Sequence, residues 1–103
     1  MKCVVAWKLR PGGSAAENEA SAARLLEVIS KWTLASGTTV HQWVLRVDGQ
    51  GGFAVQDSDD MASLTLSLAK LTPYIEIEVI PVLDYSEALA LVTEAVEFRN
   101  SIK

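Results

Sequence analysis

A second cysteine is missing. Cys3 stands alone, so it closes no internal disulfide and has no other thiol with which to share a metal ion. His41 is the only histidine and the carboxylates are scattered, which leaves no recognisable metal-ligand spacing. No apolar run approaches the roughly 20 residues that cross a bilayer. The opening Met1-Lys2-Cys3-Val4-Val5-Ala6-Trp7 is broken by Lys8 and Arg10 before a signal-peptide core can form. Basic clusters are also missing: nine Lys and Arg are dispersed among thirteen Asp and Glu, for a net charge of −4. A nucleic-acid binder normally concentrates cations to displace counterions from phosphates, so that class is rejected. The expectations are a cytoplasmic protein with no metal or cofactor, no membrane and no nucleic-acid partner.

What is present is a full core. At 103 residues with 50% hydrophobic residues, against about 45–50% in average globular chains, residues 1–103 read as one domain with apolar surface left for a partner. Residues 2–8 alternate as a strand. Pro11-Gly12-Gly13 forces a turn, and Ser14-Ala15-Ala16-Glu17 has the form of a capping box that opens a helix. Ala22, Leu25, Leu26, Ile29 and Trp32 or Thr33 recur at helical spacing, with Glu17, Asn18, Glu19, Arg24, Glu27 and Lys31 mostly outward. After Ala35-Ser36-Gly37, residues 38–47 are rich in β-branched and aromatic side chains. Asp48-Gly49 signals a hairpin, and Gly51-Gly52 allows a longer or bulged loop. The register stays open, and one slip would exchange the faces, so Phe53 and Val55 share a side either with Trp43 and Leu45 or with Val44.

A strand over 52–57 leads into Ser58-Asp59-Asp60, suited to a helix N-terminus. Met61, Leu64, Leu68 and Leu71 form one face of the next helix, which Thr72-Pro73 stops. Residues 74–83 alternate, with Ile75, Ile77 and Val79 on one side and Tyr74, Glu76, Glu78 and Ile80 on the other. Asp84-Tyr85-Ser86-Glu87 offers another capping box, and Ala88, Leu91, Val92 and Ala95, widened by Leu89 and Val96, line a last helix. The order βαββαβα specifies a ferredoxin-like α+β sandwich with a four-stranded antiparallel sheet, and suggests a dimer.

The stretch Tyr74-Ile75-Glu76-Ile77-Glu78-Val79-Ile80-Pro81-Val82-Leu83, running into Asp84-Tyr85-Ser86-Glu87-Ala88, resembles the bacterial domain of unknown function 3303 family, whose members carry a similar "FEIVPVL" strand before the final helix. The Pro11-Gly12-Gly13 turn and residues 37–47 look similar too, so the resemblance covers most of the chain. Its one specific element, the Pro81 strand, is structural. More broadly, the element order is similar to the dimeric α+β barrel superfamily, in which two ferredoxin-like sheets pack face to face. That superfamily includes cofactor-independent monooxygenases, haem-degrading enzymes and isomerases, and fold alone does not choose among them. A haem-degrading activity is not supported, since the iron would need an axial ligand and His41 is the sole histidine. No catalytic motif is shared, so no catalytic set is carried over.

Candidate chemistry is sparse. His41 is a possible general base roofed by Trp43; the plainer reading, a strand histidine at an edge or an interface, is favoured because the sequence sets no carboxylate beside it. Glu76 and Glu78 share a strand face with Tyr74, about 7 Å apart at Cα. A solvated pair, or pairing across a dimer with Arg46 or Lys2, is favoured over divided acid–base work. Cys3, in phase with Val5 and Trp7, reads as an inert core thiol rather than a nucleophile. Pro11-Gly12-Gly13-Ser14 reads as a turn with an N-cap rather than an anion site, since it lacks P-loop spacing and lysine. Trp7, Trp32, Trp43, Tyr74 and Phe53 fill a core or line an apolar pocket, in which Tyr74, Trp43 and His41 would be polar edges. The leading expectation is a homodimeric binding or assembly module. The alternative is a cofactor-independent enzyme or binder acting on a small apolar or aromatic molecule, monooxygenase- or isomerase-like, with His41 and Tyr74 as proton handlers and Trp7, Trp43, Tyr74, Glu76 and Glu78 around the ligand.

Overall fold

The structure, a computed structural model, describes residues 1–102. Its elements are β1 (Lys2–Leu9), α1 (Ala15–Lys31), β2 (Thr38–Leu45), β3 (Gly51–Ser58), α2 (Met61–Ala69), β4 (Ile75–Pro81) and α3 (Tyr85–Ser101). The strands form one antiparallel sheet in the order β2-β3-β1-β4. This is the ferredoxin-like α+β arrangement that the segment order specifies.

The first helix begins as its residues dictate. Ser14 Oγ accepts from the Glu17 amide, and Glu17 Oε1 accepts from the Ser14 amide, both at 3.2 Å. That exchange occupies two of the amides, Ser14 and Glu17, that an anion site at this turn would use. At the hairpin, Gly49 adopts φ 71°, and Asp48 Oδ1 accepts from the Gln50 amide at 3.0 Å. That backbone bond, with the Arg46 guanidinium beside it, holds the Asp48 carboxyl below its usual range. Asp60 caps α2 through Ala62 and Ser63, and the Ser63 hydroxyl and amide lower its pKa. The helix ends at Ala69, ahead of Thr72-Pro73, and Leu71 reaches the core from the following turn.

The capping box expected at the last helix does not form. Asp84 makes no side-chain cap bond to α3; its Oδ1 instead accepts from Lys2 Nζ at 2.5 Å, joining the helix start to β1.

The register answers the open question about faces. Val5 lies opposite Ala54 and Val79, and Ala54 lies opposite Trp43, so Cys3, Val5 and Trp7 point to the side covered by α1 and α2. Leu25, Leu71 and Ile75 form one core cluster there, and Cys3, Val5 and Ala54 another. Phe53 pairs with Val44, and Val55 with Gln42, on the opposite side. That side is covered by no helix among the described residues. It presents Val4, Ala6, Val44, Phe53, Val55 and Ile80, of which Val44, Phe53 and Ile80 are exposed.

The last helix finds no cover either. None of its residues is buried. An eight-residue strand spans about 27 Å and a 17-residue helix about 25 Å, so a long axis of 63 Å requires α3 to run on outward from the sheet. The radius of gyration, 18.2 Å, far exceeds the roughly 13 Å of a compact domain of this length.

Candidate functional site

Two places hold the residues singled out above, one on each side of the sheet. The first is an apolar cavity of about 80 Å³ between the sheet and helices α1 and α2. All three tryptophans, Trp7, Trp32 and Trp43, line it. Its space comes from small residues among large ones. Ala54 sits on the cavity floor, and Gly52 lets the Trp7 ring lie across β3, since a Cβ there would come within 2.6 Å of the indole and 2.5 Å of the Val44 carbonyl oxygen.

Trp32 is fixed by its Nε1, which donates to the Ser67 carbonyl at 2.9 Å, and Ser67 Oγ in turn donates to the Thr33 carbonyl. These bonds tie the end of α1 to α2. Trp43 meets Trp32 edge to face, with ring centroids 6.4 Å apart and planes at 73°, a favoured aromatic geometry. Trp43 lies on the edge strand and is 56% exposed, so the cavity opens beside it. The one lining residue without an apolar or indole side chain is Gln56, itself only 5% exposed.

The second place is a charged corner of the bare face. Val40 and Gln42 pair with consecutive residues Gln56 and Val55, which leaves His41 as the extra residue of a bulge. The bulge re-aims the side chain. His41 Nε2 lies 2.6 Å from Asp57 Oδ2. That hydrogen bond comes first, and Lys2 adds to it, in holding the Asp57 carboxyl below its ordinary range. Farther along the face Glu76 pairs with Lys8 (3.3 Å) and Arg10 (3.7 Å). An open groove there is lined by Ala6, Phe53, Arg46, Glu76 and Glu78.

The structure therefore separates residues that the alternation grouped together. Trp43 does not roof His41: without a bulge, residues i and i+2 would share a face, and the extra residue sends His41 to the bare side while Trp43 faces the helices. Tyr74 does not join Glu76 and Glu78. It precedes β4, its amide donates to the Leu71 carbonyl, and its ring packs beside Leu25 and Ile75. His41 and Tyr74 lie at opposite ends and on opposite sides of the sheet. Trp7 and Trp43 face the helices, while Glu76 and Glu78 face away, so the five residues placed around one ligand do not surround one space. Phe53 likewise leaves the tryptophan group.

Arg46 and Lys2 are engaged within the chain, by Asp48 and Asp84. Cys3 is fully buried, and burial pushes its thiol pKa up. Sequence reasoning missed Asp57 and Gln56. Both lie in the strand assigned over 52–57, and the signal that would have found them was the register. Among the described residues, no group of three or more His, Cys, Asp or Glu is placed to hold a metal ion, and no helix is long and apolar enough to cross a membrane.

Among curated proteins none matches the chain. A family model described as "Domain of unknown function (DUF3303)" matches residues 1–96, from the start of β1 through most of α3, and the chain belongs to that family.

Proposed function

We propose that the chain works as a homodimeric binding and assembly module, two copies meeting through the bare sheet face, with each α3 laid along the other copy. The observation that carries this reading is α3 itself. At about 100° per residue, Phe98, Leu91, Ile102, Ala95, Val92, Val96 and Leu89 fall within about half of the helix circumference, interrupted by Arg99. An apolar arc near 100° suffices for one contact. Most of a helix's stability in a protein comes from packing of its apolar face, and among the described residues nothing buries that face of α3.

Charge favours a second copy as the cover for α3. The bare face carries Lys2, Lys8 and Arg46 against Asp57, Glu76 and Glu78. An isologous interface sets the same patch against itself. A patch that carries both signs can set opposite charges against each other across the two-fold axis. Face-to-face packing of two such sheets would form the dimeric α+β barrel to which the element order is similar.

A catalytic reading has less support, because the two proposed proton handlers, His41 and Tyr74, cannot meet one substrate across the sheet. Native mass spectrometry with light scattering tests the assembly reading. The expected result is a dimer at micromolar concentration, and Phe98→Asp should weaken it about 1,000-fold, since the two-fold interface loses the anchor twice at about 2 kcal/mol each. A monomer at high micromolar concentration would overturn it.

A further inference from the structure

The cavity under the tryptophans stands apart from the bare face, on the other side of the sheet, and its walls are chemically one-sided. Gln56 supplies the exception. Its Nε2 donates to Ser58 Oγ at 3.3 Å, while its carbonyl oxygen Oε1 has no hydrogen-bond partner among the described residues. Among the described residues no fully enclosed side-chain polar atom is left unpaired. The oxygen is therefore accessible, and Gln56 is the one polar side chain that borders the cavity.

Water is a poor occupant. About 80 Å³ exceeds the roughly 30 Å³ share of one liquid water, but an ordered water needs two to four polar partners. Here a single free acceptor faces aromatic and aliphatic walls. One small ring uses the site better: a cavity that encloses benzene is about 150 Å³, so a ring here fills the space and stands partly in the opening beside Trp43, where its edge and faces match the indoles and one donor satisfies the oxygen.

We propose that this cavity is a binding site for a single aromatic ring bearing one hydrogen-bond donor, a phenol, which enters beside Trp43, lies against Trp32 and donates its hydroxyl to Gln56 Oε1. The site does not depend on dimerisation, since α1, α2 and the sheet of one chain build it. Specificity comes from the oxygen. A site with a buried acceptor discriminates against a ring that leaves it unpaired.

The three indole N–H resonances all report on the cavity wall, so phenol and benzene are titrated separately into the intact protein and followed by NMR. The expected result is saturable movement of the Trp32 and Trp43 signals with phenol, at about tenfold higher affinity than benzene. Gln56→Leu, close in volume and apolar, should abolish that preference while benzene still binds. Ala54→Val should weaken both ligands by filling the floor, and an unchanged amide spectrum elsewhere would show that each variant is folded. Equal affinity for phenol and benzene in the native protein, or shifts that never saturate, would overturn the proposal. Running the titration on Phe98→Asp keeps it distinct from the assembly reading: binding retained in a monomer leaves this site standing, and binding lost there would overturn its independence.

Discussion

The two sides of the sheet are built from the same strands, yet they reach different degrees of completion. On the helix side, Cys3, Val5, Leu25, Ala54 and Ile75 are buried within the chain, and the tryptophan cavity opens beside Trp43. On the other side Val44, Phe53 and Ile80 lie exposed next to ion pairs, and α3 extends past the sheet with no buried residue. A strand serves both sides by alternation, so one side can be optimised for packing while the other is kept for contact. The exposed side is not merely polar surface. Its centre is largely aliphatic and aromatic, with Glu78 midway along the edge strand β4 and the charges of Lys2, Lys8, Asp57 and Glu76 nearer the strand ends.

That contrast can be broken most forcefully at Leu25. Leu25→Ala should cost about 3 kcal/mol, measured by denaturant unfolding, and the loss should not vary with protein concentration. The same truncation at an α3 position, Leu91→Ala, should leave unfolding of a diluted monomer nearly unchanged and lower the stability of the concentrated protein. Equal effects at both positions and all concentrations would erase the distinction between the two sides.

A smaller effect is expected at the start of α2. Asp60→Ala removes the cap and should lower stability at neutral pH, by less than the Leu25 truncation does. The sign with pH follows from the lowered pKa. Asp60 contributes stability above the ordinary aspartate value, about 3.9, and loses it as pH falls through the depressed folded value. The gap between native protein and variant should therefore close in acid, and a gap that widened there would contradict the capping role.

The smallest effect belongs to the bare face. The Asp57 carboxyl should titrate by NMR below the usual aspartate range, and His41→Ala should move it back up, with little change in overall stability because the pair is exposed. An Asp57 midpoint unmoved by His41→Ala would remove the link between the bulge and the charged corner.

Local signals in the sequence carried far. The capping residues Ser14 and Glu17, the Asp48-Gly49 turn and the alternation from Ile75 onward each depend on neighbours in sequence, and each is found in place. The element order that they delimit specifies the ferredoxin-like sheet. What escaped depends on partners distant in sequence. The bulge at His41 is decided by how β2 meets β3, and that one extra residue separated His41 from Trp43 and set it beside Asp57. Asp84 looked like a cap because Glu87 follows at the right spacing, but Lys2, 82 positions away, holds its carboxylate. Tyr74 fitted the alternation by spacing alone, while the turn before β4 had already changed the backbone's direction. The three tryptophans line one cavity without the Tyr74 and Phe53 grouped with them by composition; Gln56, which gives that cavity a polarity, is legible only once the register puts it opposite Cys3.

The bulge also bears on what the sheet avoids. β2 is an edge strand, and a regular edge offers a ladder of free amides and carbonyls along which strands of other molecules can add without limit. The extra residue at His41 interrupts that ladder midway. The opposite edge, β4, ends in Pro81, which has no amide to offer. Open-ended growth into fibrils is thus obstructed at both margins of the sheet, one by an extra residue and the other by a missing amide.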